Sequence, residues 1–231
     1  MKRTTTLLLA LTAGATITTS GCAALGSGNA TGDPAGTTTA TTADSGGLLD
    51  QLGPPVPEDT TAPYKRADWG DWVYDPKTRC SRREEILIRD GQGELVDAAC
   101  RSTCPATAAA SPAGPACWTS RYDDVAVYDV ALLQADHIVP LAEAARSGAR
   151  NWTAARRAEF YNDPANLVMV TGKANGRKSD NDPARYKPVA GYWCEYATAY
   201  AKVKISYGLS VDAAERTALA GMLDTCGGEP R

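Results

Sequence analysis

The sequence has a single histidine, His137, and no net positive charge, since 24 Lys and Arg stand against 27 Asp and Glu in 231 residues. A net charge of −3 gives no global argument for nucleic-acid binding, so any such argument has to be local. The chain has neither a Gly-x-Ser-x-Gly turn nor a glycine-rich phosphate loop. The sequence therefore does not indicate an α/β-hydrolase with this nucleophile turn or a P-loop nucleotide-binding protein.

Long apolar runs are also missing, and the longest near the N-terminus, Leu7–Ile17, has only 11 residues. A membrane-spanning helix needs ~20 apolar residues, so we expect no transmembrane helix. Lys2 and Arg3 precede this run, and small residues that end at Cys22 follow it, as in a bacterial lipobox. We therefore expect residues 1–22 to be a lipoprotein-type signal peptide with Cys22 lipidated. The protein would then be exported and anchored to the outer face of the cytoplasmic membrane, or secreted if the signal is cleaved without lipidation.

Two further segments follow the signal. Residues 23–61 are rich in Thr, Gly, Ala, Ser and Pro and lack the apolar periodicity of a core, which predicts a flexible tether. Residues 62–231 are expected to form the folded domain, with the aromatic residues between Tyr64 and Tyr74 as a small satellite core.

Six cysteines remain after Cys22, an even number that suits an exported domain with up to three disulfides. The alternative is a zinc site, but Cys100 and Cys104 are the only close pair and have no histidine nearby. Helices are predicted over 193–206 and 211–225, and an antiparallel arrangement places Cys194 beside Cys226. We expect these two to be bonded, and Cys80 to pair with one of the cysteines at 100, 104 and 117.

The remaining elements form a mixed pattern. A β-prone stretch runs from Asp124 to His137, and an apolar strand is predicted over 166–171. Helices are predicted over 141–147, 154–161 and 173–179. Glu143, in the first of these helices, is expected to face solvent or to pair with a nearby arginine.

One group of polar residues has the side chains and the order expected of a catalytic site. Asp136-His137 closes the β-prone stretch, Asn166 opens the next strand, and Asn175 and Lys178 follow with a spacing of three. This order resembles the HNH nucleases of the His-Me-finger, or ββα-metal, superfamily. The wider segment 134–188 is similar to exported bacterial HNH proteins whose domain resembles the C-terminal nuclease domain of Gmr-type modification-dependent restriction enzymes.

The resemblance covers roughly residues 64–226. It implies an α+β fold with a ββα-metal core over about 124–182, additional helices, a C-terminal helical hairpin and disulfide staples.

The resemblance also assigns roles. Asp136 and Asn175 would supply oxygen ligands to one divalent metal, Mg²⁺ or alternatively Mn²⁺, ions that prefer such ligands. His137 would take a proton from the attacking water, since a neutral imidazole with an unperturbed pKa of ~6.5 can do so at neutral pH. Asn166 would hold the loop that carries His137, and its carbonyl would orient the imidazole.

Arg177 and Lys178 are candidates for phosphate contact, and a solvated helix face is the alternative. The segment 136–204 contains 11 Lys and Arg against 7 Asp and Glu, so it is locally basic within an acidic chain. This modest basic patch is compatible with a phosphate-bearing substrate.

The sequence thus predicts an extracytoplasmic, metal-dependent HNH endonuclease that acts on DNA, with RNA as a second substrate class. Its membrane contact would run through the lipid anchor, and no obligate protein partner is inferred. Two alternatives stay open. One is a non-catalytic surface lipoprotein that binds DNA or another partner through the same fold. The other is a disulfide-stapled structural or adhesion module, which leaves the Asp136–Asn175 pattern unexplained.

Overall fold

The computed structural model describes residues 45–92, 97, 99–101, 104 and 116–227. The predicted signal segment with Cys22 and residues 23–44 of the predicted tether lie outside this part of the chain. The described residues form an α+β domain of antiparallel strand pairs and helices, as predicted. Among them, no helix has both the length and the apolar character needed to cross a membrane.

The elements follow one another in a simple order. They are α1 (Ser45–Gln51), β1 (Tyr74–Asp75), β2 (Cys80–Ser81), α2 (Arg82–Asp90), β3 (Trp118–Ser120), β4 (Val125–Val127), β5 (Leu133–His137), α3 (Leu141–Arg146), α4 (Ala154–Asn162), β6 (Leu167–Thr171), α5 (Gly172–Lys178), α6 (Trp193–Tyr207) and α7 (Ala213–Leu223). Strands β1 and β2, β3 and β4, and β5 and β6 form three antiparallel pairs. The β-prone stretch predicted over 124–137 is divided into β4 and β5 by a 3-10 helix at Val130–Leu132. The helices and the strand predicted after His137 are present with small shifts at their ends.

Local sequence explains where several helices begin and end. The Thr153 side chain accepts a hydrogen bond from the Arg156 N–H and caps α4, and Thr171 caps α5 through the Ala174 N–H. Helix α3 stops before Gly148, whose φ of 121° is a conformation that side-chain-bearing residues rarely adopt. The cap at Thr171 begins α5 directly after β6, beside the β5–β6 hairpin.

Strand β6 separates two apolar clusters. All five of its residues are buried, and alternate side chains point to opposite faces. Val168 and Val170 pack into the larger core with α6 and α7, whereas Leu167 and Met169 pack into a smaller core with α2 and Trp118. Since a fully buried aliphatic side chain contributes about 1.5–3 kcal/mol, both faces hold the hairpin in place.

The last part of the predicted tether differs from the prediction, because residues 45–61 pack on the domain. Helix α1 contacts α6 and α7, and Leu52 is buried in the larger core. Arg216 donates to the carbonyl oxygens of Leu49 and Gly53 at 2.6 and 2.8 Å, and the Val56 N–H donates to the Val211 carbonyl at 2.8 Å. Leu48 and Leu49 also pack against this core.

Three disulfides staple the domain. They link Cys80 to Cys100, Cys104 to Cys117 and Cys194 to Cys226. Cys100 and Cys104 belong to different disulfides, which excludes the alternative of a zinc site at this pair. The Cys194–Cys226 bond joins the start of α6 to the chain just after α7, as the helical hairpin predicted.

A buried charged cluster ties α3 to the C-terminal hairpin. The Lys204 ammonium is fully buried and donates to Glu143 at 2.8 Å and to Glu215 at 2.7 Å. Glu143 also pairs with Arg146 at 3.0 Å, so it pairs with a nearby arginine but does not face solvent. Since a buried carboxylate is costly unless it is paired, these contacts are what permit Glu143 to lie inside.

Candidate functional site

The site is built on the β5–β6 hairpin and helix α5. The two strands pair in the register Asp136↔Val168 and His137↔Leu167, and α5 follows β6 without a loop. Because strand side chains alternate, Gln134 and Asp136 share one face of β5 and His137 lies on the other. Helix α5 covers the face that carries Gln134 and Asp136.

Asp136 is buried and strongly engaged through one carboxylate oxygen. Its Oδ2 accepts a hydrogen bond from the Tyr122 hydroxyl at 2.7 Å and lies 2.9 Å from the Lys178 Nζ. Burial, and then the charge of Asp136, raise the pKa of Tyr122 well above its usual value, so the hydroxyl stays protonated and donates. Among the described residues none hydrogen bonds to Oδ1, which leaves that oxygen as the available ligand atom.

Lys178 is fully buried and makes two polar contacts at the site. Besides pairing with Asp136, its Nζ donates to the His137 carbonyl oxygen at 2.8 Å. Burial lowers the pKa of Lys178, and the neighbouring Asp136 opposes this shift. The ammonium therefore acts here as an internal counter-ion that fixes both strand-end residues. A phosphate contact by Lys178 stays a prediction.

His137 is held in one orientation and one tautomer. Its Nε2 lies 2.8 Å from the Tyr161 carbonyl oxygen, and because a carbonyl only accepts, Nε2 carries the proton and Nδ1 the lone pair. The imidazole stacks on Trp72, with an interplanar angle of 5° and centroids 5.8 Å apart, and contacts the Tyr161 ring at 4.8 Å.

The electrostatics keep this imidazole neutral. Burial lowers the pKa of His137 to about 3, with smaller lowering contributions from Lys178 and Arg66, while the hydrogen bond to the Tyr161 carbonyl acts in the opposite direction. At neutral pH the ring is therefore uncharged, and its Nδ1 carries a lone pair.

Asn166 supports the loop after His137. It is fully buried, its Oδ1 accepts from the Val139 N–H at 2.8 Å, and its Nδ2 donates to the Val139 carbonyl at 3.3 Å. These contacts match the predicted loop support. The predicted orientation of the imidazole by the Asn166 carbonyl is wrong, because that oxygen accepts from the Ile138 N–H and the imidazole instead contacts the Tyr161 carbonyl.

Asn175 lies on the face of α5 that meets β5. Its Nδ2 donates to Gln134 Oε1 at 2.9 Å, and no described residue hydrogen bonds to its Oδ1. Asn175 and Lys178, three residues apart, contact Gln134 and Asp136, two residues apart, so helix and strand run side by side here. The two free oxygens, Asp136 Oδ1 and Asn175 Oδ1, are hard donors of the kind that Mg²⁺ and Mn²⁺ prefer.

Arg177 differs from its neighbour Lys178, because half of its side chain is exposed. Its nearest carboxylate is that of Asp123, at 3.8 Å.

A second group of oxygen ligands lies among Glu58, Asp182 and Asp212, whose ligand atoms are within 4.8 Å of one another. This group shares no residue with the Asp136 site, and Arg146 approaches Glu58 to 3.4 Å.

Four residues at the site were not predicted from the sequence. Tyr122 carried no signal beyond being one of several tyrosines, and Tyr161 acts on His137 mainly through its backbone. Trp72 and Arg66 lie in the upstream aromatic segment that was interpreted as a satellite core. The prediction of a satellite core is wrong, because Trp69 is buried in the larger core and Trp72 packs on His137.

Fold and site together define an α+β domain in which a two-stranded hairpin and a helix present a buried Asp–His pair. Residues 116–222 match the family described as GmrSD restriction endonucleases, C-terminal domain. A relative from Arthroderma benhamiae, described as an uncharacterized secreted protein, is 38% identical over 166 residues, which cover 71% of this chain and 76% of the relative. No solved structure matches.

The chain belongs to the same family as this secreted protein, and its residues 116–222 belong to the GmrSD C-terminal domain family. The matched region contains Tyr122, Asp136, Asn166 and Asn175, and it excludes Arg66 and Trp72.

Proposed function

We propose that this protein is an extracytoplasmic, metal-dependent endonuclease of the HNH type. It hydrolyses phosphodiester bonds of DNA, with RNA as a second substrate class. The observation that carries the proposal is the geometry of His137, an imidazole held through Nε2 with the Nδ1 lone pair free, one residue from the buried Asp136 carboxylate. The match to a restriction-endonuclease domain supports the same class of reaction.

In this proposal His137 Nδ1 accepts the proton of the attacking water. General-base help of this kind contributes typically ~10²–10⁴-fold to a rate. The Tyr161 carbonyl fixes the tautomer that this step needs, and Trp72 fixes the plane of the ring. Asn166 accepts a hydrogen bond from Val139 in the loop after His137, which keeps the backbone of His137 next to β6.

Asp136 and Asn175 would hold the metal through their free Oδ1 atoms. A bound divalent ion supplies electrostatic stabilisation of the charge that develops on the phosphate and on the leaving oxygen. Tyr122 and Lys178 orient the Asp136 carboxylate by occupying Oδ2, which directs Oδ1 away from both.

The place of action is proposed from two observations. The three disulfides require an oxidising compartment, and the fungal relative is described as secreted. We propose export with lipid attachment at Cys22 as the anchor, tested by mass spectrometry and membrane fractionation of Cys22→Ala.

The enzymatic test uses the full chain produced in an oxidising compartment. Supercoiled plasmid should be nicked and linearised with Mg²⁺ or Mn²⁺, and a chelator should stop the reaction. His137→Ala and Asp136→Asn should each lose at least ~10²-fold in rate, whereas Asp224→Asn, an exposed substitution of the same chemistry, should not change it.

Full activity of His137→Ala would contradict the assignment of the base. Absence of cleavage with every divalent metal, together with salt-sensitive DNA binding, would instead favour a non-catalytic binding protein.

A further inference from the structure

We propose that the segment 66–72, outside the family-matched region, completes the site, and that Arg66 binds a phosphodiester group of the substrate on the imidazole side. This inference rests on the proposed function, since it names a contact with the same substrate. The motif by itself predicts that Arg177 and Lys178 on α5 contact phosphate. Arg66 would provide an accessible cation for this contact from outside the motif.

The first argument is position. The Arg66 guanidinium lies over the Tyr161 ring, with its carbon 4.4 Å from the ring centroid, and it donates to the Tyr161 hydroxyl at 2.5 Å. Tyr161 in turn contacts His137 twice, through its ring at 4.8 Å and through its carbonyl at 2.8 Å. One residue thus connects the guanidinium to the imidazole, so Arg66 stands at the edge of the site.

The second argument compares the cations around the site. Lys178 is fully buried and bonded to Asp136 and to the His137 carbonyl, so its charge is already paired with a carboxylate inside the protein. Arg177 is half exposed and has the Asp123 carboxylate beside it. Arg66 is exposed and forms no ion pair with a carboxylate of the described residues, which leaves its charge available.

The third argument is donor capacity. A guanidinium carries five N–H donors in a planar fork that suits phosphate oxygens. Within the described part of the chain, Arg66 donates to two acceptors, the Tyr161 hydroxyl and, at 3.4 Å, the Gly70 carbonyl. The contacts to Tyr161 fix the plane of the guanidinium, and donors remain for a phosphate.

Arg156 provides the matched comparison. It is also exposed, lies 4.7 Å over the ring of Trp152 and donates to a backbone carbonyl, that of Tyr207. Neither Trp152 nor Tyr207 contacts His137. Arg156 therefore has the same surface chemistry without the link to the site.

The experiment measures binding and cleavage separately, with the full disulfide-bonded chain. Binding of a fluorescent 30-base-pair duplex is measured in the presence of EDTA over a range of NaCl concentrations, for wild type, Arg66→Gln, Arg66→Lys and Arg156→Gln. Loss of one phosphate contact should reduce the slope of log K against log salt by about 0.9, which a structural role would not do.

Arg66→Gln should show this reduced slope and a fall in kcat/KM of about 10-fold or more, carried mainly by KM. Arg66→Lys should keep the slope and lose less activity, and Arg156→Gln should match wild type. Thermal unfolding of each variant separates these effects from misfolding.

Failure of the two proposals is distinguishable. If wild type cleaves DNA and Arg66→Gln keeps both its salt slope and its KM, the Arg66 contact is wrong while the nuclease function stands. If wild type cleaves nothing, the slope still tests Arg66: a reduced slope supports the contact, and an unchanged slope overturns it.

Discussion

The Lys178 ammonium on α5 pairs with the Asp136 carboxylate on β5 at 2.9 Å, and neither side chain is more than 8% exposed. The same ammonium donates to the His137 carbonyl oxygen. One buried cation therefore holds both members of the Asp136-His137 pair and closes α5 onto the hairpin. This contact affects stability, the orientation of the site and the availability of Asp136 to a metal.

Lys178→Met removes that cation. We expect the free energy of unfolding to fall by about 3–5 kcal/mol, because Asp136 is left as a buried carboxylate with a single hydrogen-bond donor. Urea denaturation monitored by tryptophan fluorescence measures the change. Lys173→Met, an exposed lysine on the same helix, is the control and should change stability by less than about 0.5 kcal/mol. Equal losses in the two variants would show that the buried pair contributes nothing to stability.

Trp72 is expected to position His137. Trp72→Ala should lower kcat by about 10-fold or more with little change in KM, because the imidazole loses the indole face on which it stacks. Trp72→Phe should restore most of the activity, since a phenyl ring can occupy the same plane.

The single histidine makes a direct measurement possible. In ¹⁵N-histidine spectra of wild type, one imidazole should appear in the Nε2–H tautomer, and Trp72→Ala should show exchange between tautomers or altered ring-current shifts. Val73→Ala, an exposed change at the neighbouring position, serves as control. A Trp72→Ala spectrum identical to wild type would show that the indole does not hold the ring.

The Glu215 carboxylate should make stability depend on pH. Burial raises the pKa of Glu215 from 4.5 to about 7. The Lys204 ammonium opposes this rise, and the charge of Glu143 adds to it. The unfolded chain therefore loses this proton at a lower pH than the folded chain. The stabilisation is complete below about pH 4.5, is lost as the pH rises towards 7, and is absent above that value.

Replacement by an uncharged isostere tests the sign of this dependence. Glu215→Gln should be more stable relative to wild type at pH 8 than at pH 5, by on the order of 1–3 kcal/mol. Chemical denaturation at the two pH values measures the difference, and Glu159→Gln, an exposed control, should show none. A difference of opposite sign would mean that Glu215 is charged throughout and that Lys204 dominates its environment.

Much of the architecture follows from local sequence. Two helix starts are capped by Thr153 and Thr171, and Gly148 follows the end of α3. Each of these helix ends depends on only a few consecutive residues. The apolar run of β6 predicts a buried strand, and the hairpin of α6 and α7 brings Cys194 to Cys226. These features depend on short-range geometry, which explains why they could be predicted. Residues 45–61 could not, because their order comes from packing against the distant helices α6 and α7.

The Asp136-His137 pair, with Asn166, Asn175 and Lys178 in order after it, is determined by the sequence itself. What each side chain does is decided by tertiary structure. Tyr161, 24 residues from His137, sets the tautomer, and Tyr122, 14 residues from Asp136, occupies one carboxylate oxygen. The direction of Lys178 likewise depends on how α5 packs on β5. Hydrogen-bond partners that are distant in the chain are chosen by packing of whole elements, and a linear motif contains no record of that packing.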